Sequence, residues 1–332
     1  MREAASSAGR NTANKTQQPA SAPGSAGEAP GDTPPHGAAI TIPGMPTDRA
    51  IERSRPVTRS ELERDLRSLG VRAGAIVMVH TRMSALGWVV GGAQTVVEAL
   101  LGVLGPEGTL MAYAGWEDDP YHLADWPPRW QQAYRDELPS FEPALSEADH
   151  QMGRLPERIR TWPGAVASTG HVMRMVAVGA RARWLTAGQP WHHPAGPGSP
   201  LAKLVEADGQ VLMLGAPLDT LTLLHHAEAV VDSPSKRMIT YAIPVRRGDR
   251  VVWREVHDHD TSSRGAFPYQ QVIPDGEDAF AVIGRQALAA RVGTSGTVGE
   301  AESHLFAARP LVDFATGWLR RNFGGSQPPS RF

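Results

Sequence analysis

The chain has 332 residues, of which 41% are hydrophobic and 20% charged; that suffices to bury a core and excludes a wholly disordered protein. With 33 basic and 35 acidic side chains the net charge is −2, so no global positive field draws it to nucleic acid or anionic lipid. Cysteine is absent, which rules out disulfides, a cysteine nucleophile and thiolate-held zinc. Residues 1–48 are crowded with Ala, Gly, Ser, Thr and Pro, and no aromatic residue precedes Trp88. Such a tail buries too little apolar surface to offset the entropy of ordering it, so disorder is expected there and again over 326–332. Thr58 with Glu61 three residues on is a capping box; Leu62, Leu66 and Leu69 then mark one helix face, and Gly70 stops the helix. Ala75 to His80 reads as a buried strand. A glycine-containing loop, Leu86 to Gly92, leads into a helix from about Thr95 to Leu104. Gly105 to Gly108 turns the chain into a second strand, Thr109 to Tyr113, completing a βαβ unit.

Residues 115–150, rich in Trp, Pro and acid, lack periodicity and read as a long functional insertion. Arg154 to Arg160 is expected to be helical and Met175 to Val178 a strand. Ser199 and Pro200 cap a short helix to about Val205. Val211 to Gly215 is another buried strand, followed by a helix from about Thr222 to Val231. Ile239–Val245 and Val251–Val256 form an antiparallel pair around Arg247 to Asp249, and a helix over Ala308 to Arg320 closes the chain. The pattern is mixed α/β without internal repeats. No stretch approaches 18 consecutive apolar residues, and no apolar run follows a basic start as in a secretory signal; a cytoplasmic protein is expected.

Several clusters can carry chemistry. Ser84 to Gly92 follows a strand and precedes a helix, where backbone amides and the helix N-terminus favour an anion. Its spacing fits neither a P-loop nor a dinucleotide fingerprint, and such glycines also simply make the turn. His225 and Glu228 are three apart and share a helix face. A carboxylate beside an imidazole orients it and raises its basicity, as a general base needs; a satisfied helix-start histidine explains the same residues. In His257-Asp258-His259-Asp260, alternation sends the two acids to one side and the two histidines to the other. This suits a cationic ligand, a metal shared with His225 and Glu228, or an exposed polar turn. Glu117, Asp118, Asp119 and Glu142, interleaved with Trp116, suit a polycationic ligand or a solvated loop. His192 and His193 carry no assignment.

These blocks occur in a recognisable order. Met78-Val79-His80 with Gly87-Trp88-Val89-Val90-Gly91-Gly92, Met152-Gly153 with Leu155-Pro156-Glu157, Arg160-Thr161-Trp162-Pro163, Ser199 to Leu204, Val211 through Glu228, and Asp258-x-Asp260-Thr261 resemble the aminoglycoside 3-N-acetyltransferase family over roughly residues 56–325. The resemblance implies one large α/β domain, about 49–325, with a mixed sheet flanked by helices, distinct from the common small acetyltransferase (GNAT) fold. It implies acetyl transfer from acetyl-CoA, without a metal, to the 3-amino group of a 2-deoxystreptamine aminoglycoside. The family's catalytic histidine falls on His225, with Glu228 beside it. Ser84, Val90, Gly91, Gly92 and Ser168 fall where CoA binds, and Asp258, Asp260, Glu117 and Asp118 where the antibiotic's ammonium groups are held. Direct transfer in a ternary complex by a monomer or homodimer is expected. Ala167-Ser168-Thr169-Gly170-His171 departs from the family's Arg-Ser-x-His-Pro, and His193 to Gly196 departs from its Tyr-Gly stretch, which leaves open another amine acceptor. From another class, a metal-dependent hydrolase using His225, Glu228, Asp258 and His259 stays open, as does a silent relative that only binds.

Overall fold

Thr58 begins the first helix as its sequence dictates. Its hydroxyl accepts from the Glu61 amide at 3.3 Å, and the Glu61 carboxylate accepts from the Thr58 amide at 2.9 Å, two otherwise orphaned donors satisfied together. The structure, a computed structural model, describes residues 55–262 and 264–324; the expected tails, 1–48 and 326–332, lie outside the described residues. In chain order the elements are β1 (Pro56–Val57), α1 (Arg59–Leu69), β2 (Ile76–Thr81), β3 (Trp88–Val89), α2 (Gly92–Leu104) and β4 (Thr109–Tyr113). Then come α3 (Pro128–Glu137), α4 (Arg154–Arg160), β5 (Val166–Ala167), β6 (Met175–Gly179), α5 (Ala182–Thr186), α6 (Pro200–Glu206) and β7 (Gln210–Leu214). The chain continues through α7 (Leu224–Val230), β8 (Met238–Arg247), β9 (Arg250–His259), α8 (Ala279–Ala289), β10 (Gly293–Val298), β11 (Ala301–Ala307) and α9 (Ala308–Phe323).

Seven strands form a mixed sheet in the order β10-β11-β7-β2-β4-β6-β5. At its centre β2 runs parallel to β4 and to β7, with Met78 opposite Met111 and Val79 opposite Leu212; the remaining pairs are antiparallel. Strand alternation divides the apolar residues between two cores. Ile76 and Met78 join Met111, Met213, Phe306 and Leu311 on one face. Val77 and Val79 join Leu100, Leu110 and Leu212 on the other. Helices cover both faces, as a buried parallel centre requires. Among the described residues no helix is long and apolar enough to cross a membrane.

Three departures from the sequence reading concern the site. The expected insertion contains a helix, α3, with no buried residue, so it carries no apolar stripe to read. The segment after Pro274 holds α8, β10 and β11, none of them expected; β10 is a polar edge strand with only Val298 buried, and such strands lack a hydrophobic signature. Strand β9 runs on to His259 in register with Met238 of β8. The alternation expected for residues 257–260 does not separate inside from outside: Asp258, His259 and Asp260 are all buried and His257 is exposed. The reason is that the end of β9 is covered on both sides, His259 facing Glu228 and Asp258 lying in the field of Tyr121 and Tyr241.

Candidate active site

Strand β7 ends at Leu214, and the chain turns through Gly215 and Leu218–Thr220 into α7, which carries His225 in its first turn and Glu228 three residues on. Their three-residue spacing stacks the side chains, and His225 Nδ1 meets Glu228 Oε2 at 2.7 Å. Glu228 is 2% exposed, whereas His225 is 19% exposed and lines an open cavity of about 410 Å³. The Tyr269 hydroxyl donates to Glu228 Oε1 at 2.6 Å. On the far side, His259 Nε2 lies 3.4 Å from Glu228 Oε2 and His259 Nδ1 lies 3.0 Å from Asp258 Oδ1. These two are ion-pair contacts; neither ring nitrogen makes an in-line hydrogen bond. Burial raises the Glu228 carboxyl, but its hydrogen bond to His225 and its ion-pair contact with His259 win and hold it at about 2. Burial likewise opposes charge on His259, yet Asp258 and Glu228 outweigh it and push the ring up to about 9. The site is therefore an imidazole on the cavity wall, backed by a buried carboxylate that is itself backed by a buried imidazolium. Sequence reasoning missed Tyr269, which reaches Glu228 across 41 positions and carries no local signal.

The four candidate acids separate. Asp260 lines the His225 cavity; it accepts from the Ser262 amide at 3.0 Å and hydroxyl at 2.5 Å, with Arg264 at 3.5 Å and Arg237 at 3.7 Å from its other oxygen. Asp258 is fully buried and is absent from the cavity wall; Oδ1 accepts from the His259 amide at 2.8 Å. Glu117 contacts the His150 amide and ring, each at 2.6 Å, and with Asp118, Glu142 and Trp116 it lines a different, shallow cleft. Asp219, Asp275, Glu277 and Asp278, none of them singled out by sequence, share the His225 cavity. Asp119, the last acid of the run that begins at Glu117, has its carboxyl pushed up to about 7 by burial.

A second cavity, about 480 Å³, opens where β2 and β7 end, the edge at which parallel sheets expose their ligand sites. Ser84 lines it together with His80, Thr81, Met83, Tyr113 and Pro217. Burial holds His80 down at about 4, and among the described residues His80 Nε2 and Thr81 Oγ1 find no hydrogen-bond partner. Val90, Gly91 and Gly92 lie outside its wall. The Val90 amide donates to Val57 at 3.0 Å, and Gly91, at φ +82°, starts α2. Ser168 is fully buried and lines neither cavity; its hydroxyl accepts from the Met175 amide at 2.9 Å and its own amide donates to Met175 at 2.8 Å.

A profile of the family described as aminoglycoside 3-N-acetyltransferase matches residues 78–320. The chain belongs to this acyltransferase family. It is 52% identical to aminoglycoside N(3)-acetyltransferase VII of Streptomyces paromomycinus over 275 residues, which is 82% of this chain and 95% of that protein. It is 53% identical to aminoglycoside N(3)-acetyltransferase VIII of Streptomyces fradiae, over 85% of this chain and 99% of the relative. Among solved structures, aminoglycoside acetyltransferase AAC(3)-Xa superposes with a TM-score of 0.79 at 49% identity, covering 83% of this chain and 97% of that one. AAC-IIIb, solved as a binary complex with CoASH, matches with a TM-score of 0.75 at 41% identity, covering 82% of this chain and all of that one. The mixed α/β architecture expected from the resemblance is the observed one.

His225, Glu228 and His259 also bring one ligand-type atom each within 4.8 Å of one another. Both Glu228 oxygens are already committed, to two imidazoles and a phenol, and an imidazolium at His259 repels a cation. The trio therefore suits proton chemistry better than metal ligation.

Proposed function

We propose that the chain transfers the acetyl group of acetyl-CoA directly to the 3-amino group of a 2-deoxystreptamine aminoglycoside, with His225 as general base. The observation that carries this reading is the pairing of cavity-wall His225 with buried Glu228 at 2.7 Å. An ammonium has no lone pair, so the acceptor amine attacks the thioester carbonyl in its neutral form. The C–N bond forms, the C–S bond breaks, His225 takes the proton the nitrogen loses, and a proton returns to the departing CoA sulfur. Glu228 fixes the ring through Nδ1, which leaves Nε2 for the amine. The chain's relatives include a CoASH complex, AAC-IIIb, and a sisomicin complex, AAC-VIa, and this chain has two cavities flanking the turn after β7 that offer a place for each ligand class. We assign the acceptor to the acid-rich His225 cavity, with Asp260 on its wall. The thioester arm goes to the cavity at the ends of β2 and β7, where Ser84 and the Thr81 hydroxyl face it. Val90 to Gly92 then belong to the loop that shapes the approach to that cavity.

The test is CoA-thiol release with gentamicin-, kanamycin- and neomycin-type acceptors, with the product mapped by NMR. Acetylation at the 3-amine is expected, insensitive to chelators. His225→Ala is expected to lower turnover at least about a hundredfold, the usual contribution of a general base, with the fold intact by circular dichroism. Release with none of these acceptors from folded, acetyl-CoA-binding protein would favour a different amine, the reading that the changes at Ala167–His171 and His193–Gly196 motivate.

A further inference from the structure

His259 is a titratable group which the transfer step above does not use. It is 1% exposed and does not line the cavity that holds His225. Its ring lies between two carboxylates, with Asp258 Oδ1 at 3.0 Å and Glu228 Oε2 at 3.4 Å. The same Glu228 oxygen receives His225 Nδ1 at 2.7 Å, so one carboxylate oxygen serves two imidazoles whose ring centres are 6.0 Å apart. The other oxygen is taken by Tyr269. Behind the ring, His193, Asp232 and Lys236 face His259 across a separate cavity of about 410 Å³, and the Lys236 ammonium donates to the Ala229 carbonyl at 2.9 Å. The groups around His259 are thus Glu228 and His225 from α7, Asp258 from its own strand, Asp232 and Lys236 from the segment after α7, and His193 from the loop before α6.

We propose that His259 is a positioning residue for acyl transfer, a buried positive charge between Asp258 and Glu228 that sets how tightly His225 holds a proton. This rests on the reading of His225 as the general base. With His259 protonated, the chain Asp258, His259, Glu228 carries one net negative charge, and a proton gained by His225 brings the cluster to neutrality. Without His259, two buried carboxylates stand behind His225 and hold its proton more tightly. A base that keeps its proton at neutral pH has no lone pair for the amine's proton. The imidazolium at His259 also repels a second imidazolium at His225 directly, in surroundings where screening is weak.

Three variants give a signed test. His259→Gln is expected to move the acid limb of the kcat/KM profile upward by about one pH unit or more, because it removes a positive charge. Asp258→Asn removes a negative charge and moves the limb downward. The double variant Asp258→Asn/His259→Gln removes both and returns the limb toward its position in the parent enzyme. A purely structural role lowers activity in all three without ordering the limbs in this way, and that result overturns the proposal. If His259→Gln does not fold, the downward shift in Asp258→Asn carries the test alone. A second readout needs no acceptor: the NMR titration midpoint of the His225 ring in the unliganded parent and variants shifts in the same directions. A parent that acetylates no aminoglycoside removes the functional reading, while the NMR shift still decides whether His259 couples to His225; an unmoved midpoint overturns the coupling.

Discussion

Glu228 and His259 hold opposite charges inside the protein, and each makes folding depend on pH through the difference between its folded and unfolded affinity for protons. Glu228 is depressed from 4.5 to about 2. Its contribution is present above about pH 4.5 and is lost as pH falls through about 2. His259 is raised from 6.5 to about 9. Its contribution is full below about pH 6.5 and is lost as pH rises through about 9. The urea midpoint is therefore expected to decline between about pH 6.5 and 9 in the parent, and to lose that decline in His259→Gln. An alkaline decline of equal size in both proteins would place the charged pair elsewhere. At this scale the sequence was informative where the chemistry is local. His225 and Glu228 stand out because three residues on a helix bring side chains together. Tyr269 and His259 reach the same carboxylate from 41 and 31 positions away, and no spacing rule announces such a contact. Asp258 and Asp260 were legible as a pair but not in their separate surroundings, one against His259 and one against Arg237 and Arg264.

The site depends on how β7 hands the chain to α7. Gly215 follows the strand at φ +65°, and a Cβ there would lie 2.9 Å from the Cβ atoms of both Ala85 and Ala301. Gly215→Ala thus combines left-handed backbone strain, about 1–2 kcal/mol, with overpacking against two short side chains whose backbones must shift. A melting temperature lower by at least about 3 °C is expected, with a fall in kcat because His225 sits ten residues on. Gly248, at φ +62° in the β8–β9 turn, has nothing within 4 Å of its virtual Cβ. Gly248→Ala isolates the strain and is expected to leave kcat unchanged; equal losses of kcat in both variants would refute a role for the β7 turn in setting the site. The elements that were legible in sequence share this central position. β2, β4 and β7 are continuous apolar runs because both faces are covered. β10 was not legible because five of its six residues are Gly, Thr or Ser at half-exposed or exposed positions before Val298, and its order comes from pairing with β11. The Asp278 cap of α8, whose carboxylate accepts from the Phe280 and Ala281 amides, was a readable signal: an Asp immediately before an apolar run.

A net charge of −2 over 332 residues gives the whole molecule little long-range attraction for a polycation, so any attraction must be local. The His225 cavity supplies it. Asp219, Asp275, Glu277 and Asp278 stand with Asp260 and Glu228 on its wall, against Arg264. Glu228 and Asp260 are already matched by His225, His259, Arg237 and Arg264, Glu277 is paired with Arg285 and Asp278 caps α8, which leaves Asp219 and Asp275 to set the field at the mouth. Charges at such a rim act over about a Debye length, roughly 10 Å at 0.1 M salt and 3 Å at 1 M. Raising ionic strength across that range is therefore expected to raise KM for a polycationic acceptor severalfold while kcat changes little. The KM for acetyl-CoA, assigned to the other cavity, should not follow. Asp219→Asn/Asp275→Asn should raise the acceptor KM at low salt and flatten its salt dependence. Glu117→Gln/Asp118→Asn, in the separate cleft beside Trp116, should leave both unchanged. If the second pair flattens the salt dependence and the first does not, the acceptor approaches over the insertion rather than past Asp219 and Asp275, and the assignment of the two cavities must be revised with it.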